Sequence, residues 1–250
     1  MKHRNIAVLL TCHNRKVKTL TCLSSLYNAN IPTGYVLDIF LIDDGSTDGT
    51  AEAVMLLFPG VHMARGDGKL FWAGGMRLAW ETAMEEKSYD AYLLINDDVK
   101  LYSGFFNNLL KAEAYSISVT GKAGIYSGAT VDEKTGMVSY GGYRVKDKKI
   151  VVRMQIVTPV EQPQKCDVVN ANVLWVSKEV VDRIGIFDYH FTHGIADFDY
   201  SLQALKRSIP IFLAPNVCGV CNDDHGKNWL SCTIPLKERI AYMKSPKEIG

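Results

Sequence analysis

VLDIFLIDDGSTD, residues 36–48, is a branched apolar run that stops abruptly at Asp43-Asp44-Gly45. A continuous apolar run of this kind, rather than an alternating one, predicts a strand buried on both faces. Upstream, Asn5 to Thr11 is a second such run, and Val17, Leu20, Leu23 and Leu26-Tyr27 follow it at helical spacing. Downstream, Thr50 to Phe58 reads as a helix stopped by Pro59-Gly60 and Val61 to Ala64 as a brief strand. Gly74 to Lys87 reads as a further helix, and Asp90 to Asn96 as a strand that ends on polar residues. Strands and helices in alternation predict an α/β fold, a mostly parallel sheet with helices on both faces. Ligands collect at the carboxyl ends of such strands. Thr11-Cys12-His13-Asn14, Asp43-Asp44-Gly45-Ser46 and Asn96-Asp97-Asp98 are three polar strand ends, so one site is expected to draw on all of them.

The second half changes character. Gly121 to Val152 is glycine-rich and predicts hairpins or a long flap, while Cys166 to Val176 reads as a strand. Ser177 is placed to cap a helix from Lys178 to Ile184, which Gly185 ends. A helix is expected from about Asp197 to Arg207, then a buried strand from Ile211 to Cys221 interrupted by Pro215. The tail after Trp229 reads as a short helix. No repeat or composition break divides the 250 residues, so a single domain is expected. Its nucleotide-binding half would span about 1–100, its acceptor half about 101–230, and its tail 231–250.

Bulk properties narrow the function. A formal net charge of +1 gives no electrostatic reason to expect nucleic acid as a partner. The apolar run Ile6 to Leu10 is too short for a signal peptide, and no stretch is long enough to span a bilayer. A soluble, cytoplasmic protein is the expectation, with peripheral association at the inner membrane face left open. Cys218, Cys221, His225 and Cys232 have a spacing that invites a zinc reading. An extended Val217 to Cys221 would send Cys218 and Cys221 to opposite faces, so small buried hydrophobes are the better expectation.

Asn96-Asp97-Asp98 emerges from a buried strand, and a carboxylate there suits a hard cation. Magnesium and manganese accept few protein ligands when phosphate oxygens supply the rest. The motifs then carry a resemblance over roughly residues 4 to 230. Thr11-Cys12-His13-Asn14-Arg15 resembles the T-x-x-N-R opening of family 2 glycosyltransferases, which invert and have the GT-A fold. Leu41 to Asp48 resembles their DDGSTD motif, and Asn96-Asp97-Asp98 stands at their D-x-D position. Gly194 to Asp199 resembles their G-x-E-D-x-D segment, and Gly185-Ile186-Phe187-Asp188 their Gly-x-Phe-Asp. Leu70 to Met76 is similar to a segment of their rhamnosyltransferase-like members.

The resemblance implies a polysaccharide-building enzyme that takes a sugar from a UDP or dTDP donor to a glycan or lipid-linked acceptor. It places Thr11, His13, Asn14, Arg15, Asp43, Asp44 and Asp97 around the nucleotide, with Asp44 accepting from a pyrimidine and His13 stacking on it. It places Gly74, Gly75 and Lys227 near the donor phosphates, and Trp175 and Asp199 beside the acceptor. Asp98 and His225 would hold Mn2+ or Mg2+, and Asp197, at a helix start, would be the base. Two positions depart from the pattern: Ala196 stands for the usual glutamate and Asn96 for the first aspartate. Ala196 keeps open a non-catalytic protein that binds nucleotide-sugar or glycan. A nicotinamide dehydrogenase is disfavoured, because Thr11 to Arg15 holds no glycine for a phosphate turn. A nucleotidyltransferase would need a glycine-rich entry loop at the same place.

Overall fold

The structure is a computed structural model that describes residues 3–147, 153–192, 194–222 and Pro235. The first half alternates as expected: β1 (Arg4–Cys12), α1 (Lys16–Tyr27), β2 (Tyr35–Asp43), α2 (Thr50–Leu57), β3 (Val61–Arg65), α3 (Phe71–Glu86) and β4 (Ala91–Ile95). The second half begins with β5 (Lys100–Leu101), α4 (Phe105–Thr120), β6 (Ile125–Val131), β7 (Val138–Tyr140), β8 (Gly142–Asp147) and β9 (Arg153–Ile156). It continues with β10 (Gln164–Lys165), β11 (Val168–Val169), β12 (Val173–Ser177), α5 (Lys178–Ile184), α6 (Ala196–Lys206) and β13 (Ile211–Val220).

The main sheet runs β10-β13-β6-β12-β4-β1-β2-β3, with β5 and β7 paired at its side. The pairs β1/β2, β1/β4 and β2/β3 are parallel, whereas β12 runs antiparallel to both β4 and β6. In register, Cys12 faces Asp43, so two polar strand ends lie side by side. The antiparallel step brings the beginning of β12 to the end of β4, with Val173 opposite Ile95. That reversal delivers Asn170 and Asn172, from the second half, to the same sheet edge.

Strand alternation divides the core. Ala7 and Leu9 pack with Trp80, Tyr92, Leu174 and Val176 on one face, under α3, α5 and α6. Ile6, Val8 and Leu10 pack with Leu23, Leu93, Phe106 and Trp175 on the other, under α1 and α4. β8, β9 and β11 form a separate three-stranded sheet, which is the expected hairpin region. Among the described residues no helix is long and apolar enough to cross a membrane.

Several local expectations shift. α3 starts at Phe71 rather than Gly74, for a reason given below. The strand expected over Cys166 to Val176 breaks into two pieces, β11 and β12, because Asn170 between them turns aside to donate its N–H to Gly141 O (2.8 Å). Ser177 stands at the start of α5 but makes no capping hydrogen bond. Cys218 and Cys221 are buried in the same core cluster rather than on opposite faces. Register irregularities between Leu213 and Gly219 undo the strict alternation. His225, Cys232 and the tail helix lie outside the described residues.

Candidate functional site

The ends of β1 and β2 are stapled together by side chains. Asn14 sits at φ 51° and donates its N–H to Ser46 Oγ (2.9 Å). Its side-chain oxygen accepts from Thr47 N–H (2.8 Å), which ties the first motif to the second. His13 Nδ1–H donates to the Asp44 carbonyl (2.6 Å), and its Nε2 accepts from the Asn14 amide (3.0 Å). Those two partners fix the orientation of the ring, which is exposed and lines the cavity. Asp43 turns inward: Oδ1 accepts from Ser46 N–H (3.0 Å), while the buried Oδ2 has no hydrogen-bond partner among the described residues.

Asp44 does a different job. Its Oδ1 accepts from Gly68 N–H (2.8 Å), and Oδ2 accepts from Leu70 N–H (3.0 Å) and Phe71 N–H (3.1 Å). Leu70 and Phe71 begin α3, whose first N–H groups have no partner within the helix. Asp44 therefore caps α3 from a remote strand end, with the negative charge at the positive end of the helix dipole. This explains the early helix start, and it carries Phe71 and Trp72 into the cavity wall. Gly66 makes room, since a Cβ there would lie 2.4 Å from Asp44 Oδ1.

The third strand end is charged and already braced. Arg15 Nη1 bridges Asp97 Oδ1 and Asp98 Oδ2, each at 3.0 Å. Asp97 is buried, and Thr19 Oγ1–H donates to its other oxygen (3.1 Å). Burial pushes the Asp97 carboxyl up to about 6, with Arg15 pulling the other way. Asn96 Oδ1 accepts from the Trp72 indole N–H (2.8 Å), so the residue that departs from the family pattern locks α3 to β4. Asp98 lines the cavity, and its Oδ1 faces the thiol of Cys221 at 3.5 Å.

Could these residues hold a divalent ion? Among the described residues no group of three or more His, Cys, Asp or Glu encloses a metal position. Asp98 nevertheless offers a hard oxygen at the cavity wall, and magnesium or manganese takes one or two carboxylates when phosphate completes its shell. The donor set fits such an open site. His225 and Lys227, expected to add a ligand and a phosphate contact, lie outside the described residues.

Across the cavity stands Asp197, in the first turn of α6. Its Oδ2 accepts from Ala171 N–H (3.0 Å) and its Oδ1 from Phe198 N–H (2.8 Å). Burial outweighs those bonds and raises its carboxyl to about 6. The loop before it is held from α3. Arg77 donates to the carbonyls of Asp188 (2.9 Å) and Phe191 (2.6 Å), and Ala73 N–H donates to Thr192 O (3.1 Å). Tyr189 lies under the Arg77 guanidinium and donates its hydroxyl to Glu81. Ile195, two residues before Asp197, is held at φ 56°, a strained conformation for a branched residue and one of the kind that collects at functional sites. Ala196 turns the other way, into the core with Tyr200 and Ala204, so the missing glutamate is replaced by packing.

The cavity measures about 880 Å³ and brings together Thr11, His13, Arg15, Asp44, Asp97, Asp98 and Asp197. Other expected residues do not reach it. Trp175 is fully buried on the opposite face, with Phe106 beside it and the Arg4 guanidinium over its ring, so it touches no acceptor. Gly74 and Gly75 are buried within α3, and a Cβ at Gly75 would meet Thr11 Oγ1 at 2.1 Å. Gly75 serves close helix–strand packing, and neither glycine lines the cavity. Asp199 lies two residues past Asp197, about 200° around the helix. It is absent from the cavity wall and accepts from Gln203 Nε2 (2.7 Å).

Sequence reasoning missed Arg77, Tyr140, Asn170 and Asn172; it weighed Cys221 as a zinc ligand and set it aside, and it met Trp72 only within the Leu70 to Met76 segment. Only the polar Asn170-Ala171-Asn172 inside an apolar stretch carried a signal.

Comparison with known proteins agrees with this geometry. Residues 7–126 match the model of glycosyl transferase family 2, a span that holds the three strand ends. No curated protein sequence matches the chain. The mannosyltransferase PcManGT from Pyrobaculum calidifontis, solved with GDP-Man and Mn2+, is 14% identical with a TM-score of 0.60. The alignment covers 88% of this chain and 57% of that one. GalNAc-T7, solved with UDP, GalNAc and Mn2+, is 15% identical with a TM-score of 0.63, over 86% of this chain and 43% of that one. The chain thus spans only about half the length of these solved structures, and at such identities they share its fold, the GT-A arrangement. With the three strand ends gathered at one sheet edge within that span, residues 7–126 are similar to glycosyl transferase family 2.

Proposed function

We propose that the chain transfers a sugar, with inversion, from a nucleoside-diphosphate sugar to a hydroxyl of a glycan or lipid-linked acceptor. One observation carries this reading: a single cavity has the three strand ends on one side and the buried carboxyl of Asp197 on the other. Among the described residues Asp44 Oδ1 accepts one backbone bond, which leaves it capacity for a further N–H. The imide N–H of uracil or thymine would supply one, and the His13 ring would pack on the base. Asp197 would take the acceptor's hydroxyl proton as the oxygen attacks the anomeric carbon. The bond to the diphosphate breaks on the far side, and its electron pair leaves with the nucleotide. A divalent ion on Asp98, with His225 as companion, would neutralise charge on that leaving group. The Arg77 contacts hold the loop that sets Asp197 facing the donor.

Thermal stabilisation across a nucleotide panel tests the donor half. UDP or dTDP with manganese is expected to raise the melting temperature. Each should do much less without the metal, and purine diphosphates should do least. Equal shifts for every nucleotide, with or without manganese, contradict the assignment.

A further inference from the structure

Cys221 stands just past β13, its N–H donating to Val131 O at 3.0 Å. That bond fixes the backbone and aims the side chain at the end of β4. The sulfur lies 3.5 Å from Asp98 Oδ1, and Asn172 Nδ2 approaches it at 3.4 Å. Arg15 takes Asp98 Oδ2, so the oxygen left facing the sulfur is the one with no ion-pair partner among the described residues. Asp98, Asn172 and Asn222 all line the cavity, and the buried sulfur lies directly behind them, in contact with Asp98 and Asn172.

The spacing is informative. An oxygen and a sulfur bound to one ion at about 2.1 and 2.3 Å stand roughly 3.1–3.6 Å apart at octahedral or tetrahedral angles. The observed pair falls within that range without movement of either element. Sulfur also changes which ion is preferred, because thiolates favour soft or borderline cations and carboxylates alone favour hard ones.

We propose that Cys221 Sγ is a second metal ligand beside Asp98, and that it gives this site a preference for thiophilic divalent ions such as Co2+, Zn2+ and Cd2+. On binding, the S–H bond breaks, its proton leaves to solvent, and a sulfur–metal bond forms with no change of oxidation state. Without metal, the thiol donates to Asp98 instead. The inference rests on the reading of Asp98 as a metal ligand.

Cobalt titration of the intact protein, followed by absorption, reads the ligand directly. Wild type is expected to show a sulfur-to-cobalt charge-transfer band. Cys221→Ser should lose it and bind cobalt at least about tenfold more weakly. Cys22→Ser should keep the band, because that thiol donates to Asn96 O (3.4 Å) instead. Manganese affinity, followed by electron paramagnetic resonance, should change little in Cys221→Ser and fall in Asp98→Ala. A band that survives Cys221→Ser overturns the proposal, as does its absence from wild type. If manganese binds through Asp98 and cobalt still shows no sulfur band, thiol ligation alone is wrong. If manganese does not bind at all, the metal reading falls with it. Should Cys221→Ser fail to fold, the cadmium NMR resonance of wild type decides, and a shift in the oxygen-only range overturns the proposal.

Discussion

Asp197→Asn is expected to leave donor binding nearly unchanged and to lower turnover by about 10²–10⁴-fold, the usual worth of a positioned base. The substitution keeps the shape of a side chain that accepts from Ala171 and Phe198 N–H, so α6 should remain in place. What it removes is the capacity to accept a proton from the acceptor. Steady-state transfer kinetics read beside nucleotide titration separate the two effects. An asparagine variant with wild-type turnover would remove Asp197 from the mechanism. A wild type that binds donor but transfers and hydrolyses nothing would favour the non-catalytic alternative.

The same residue predicts a pH profile. A base works only when ionised, and burial lifts this carboxyl from its ordinary 3.8 to about 6. Below that value the folded protein holds Asp197 protonated and inactive. kcat/KM should therefore rise about tenfold per pH unit as pH increases toward 6, then level. In Asp197→Asn that limb should vanish. A limb that persists with the same midpoint assigns the titration to another group.

The sheet was legible in the sequence because its strands are buried on both faces. Nothing else needs runs as apolar as Ile6 to Leu10 or Leu93 to Ile95 with polar residues at their carboxyl ends. The gathering of the polar strand ends was legible for the same reason, since parallel neighbours align those ends in register. α4 was not. Its buried positions include Asn108, Glu113 and Ser116, and Ser116 to Thr120 alternates like a strand, so the helical period is blurred.

The contacts that complete the site depend on pairings that local pattern does not encode. Trp72 meets Asn96, Cys221 meets Asp98, and Arg77 meets the carbonyls of a loop more than a hundred residues away. Trp175 shows the converse error. Its place beside the motif segment was visible, but the alternation of β12 sends it to the other face of the sheet. Asp44 was legible in the sequence for only one of its two expected roles. The motif pointed to a base contact, and the structure adds a helix cap.

That second role makes Asp44→Ala the most damaging substitution expected at the donor end. It strips an acceptor from the Gly68, Leu70 and Phe71 N–H groups at once. Leaving partly buried donors unsatisfied costs about 2–4 kcal/mol in total, since neighbouring losses do not add in full. For a chain of this size that lowers the melting temperature by about 5–15 °C. The damage should also travel. Released from its cap, the start of α3 frays, Trp72 loses its fixed approach to Asn96, and Ala73 loosens its hold on Thr192 O. Donor affinity and turnover are then both expected to fall, whereas Asp197→Asn lowers turnover alone. Thermal melts, nucleotide titration and transfer kinetics on the two variants distinguish these patterns. If Asp44→Ala weakens nucleotide binding with an unchanged melting temperature, its carboxylate serves the base and not the helix. If it melts early but binds nucleotide normally once folded, the cap is its whole role, and the pyrimidine must be recognised elsewhere in the cavity.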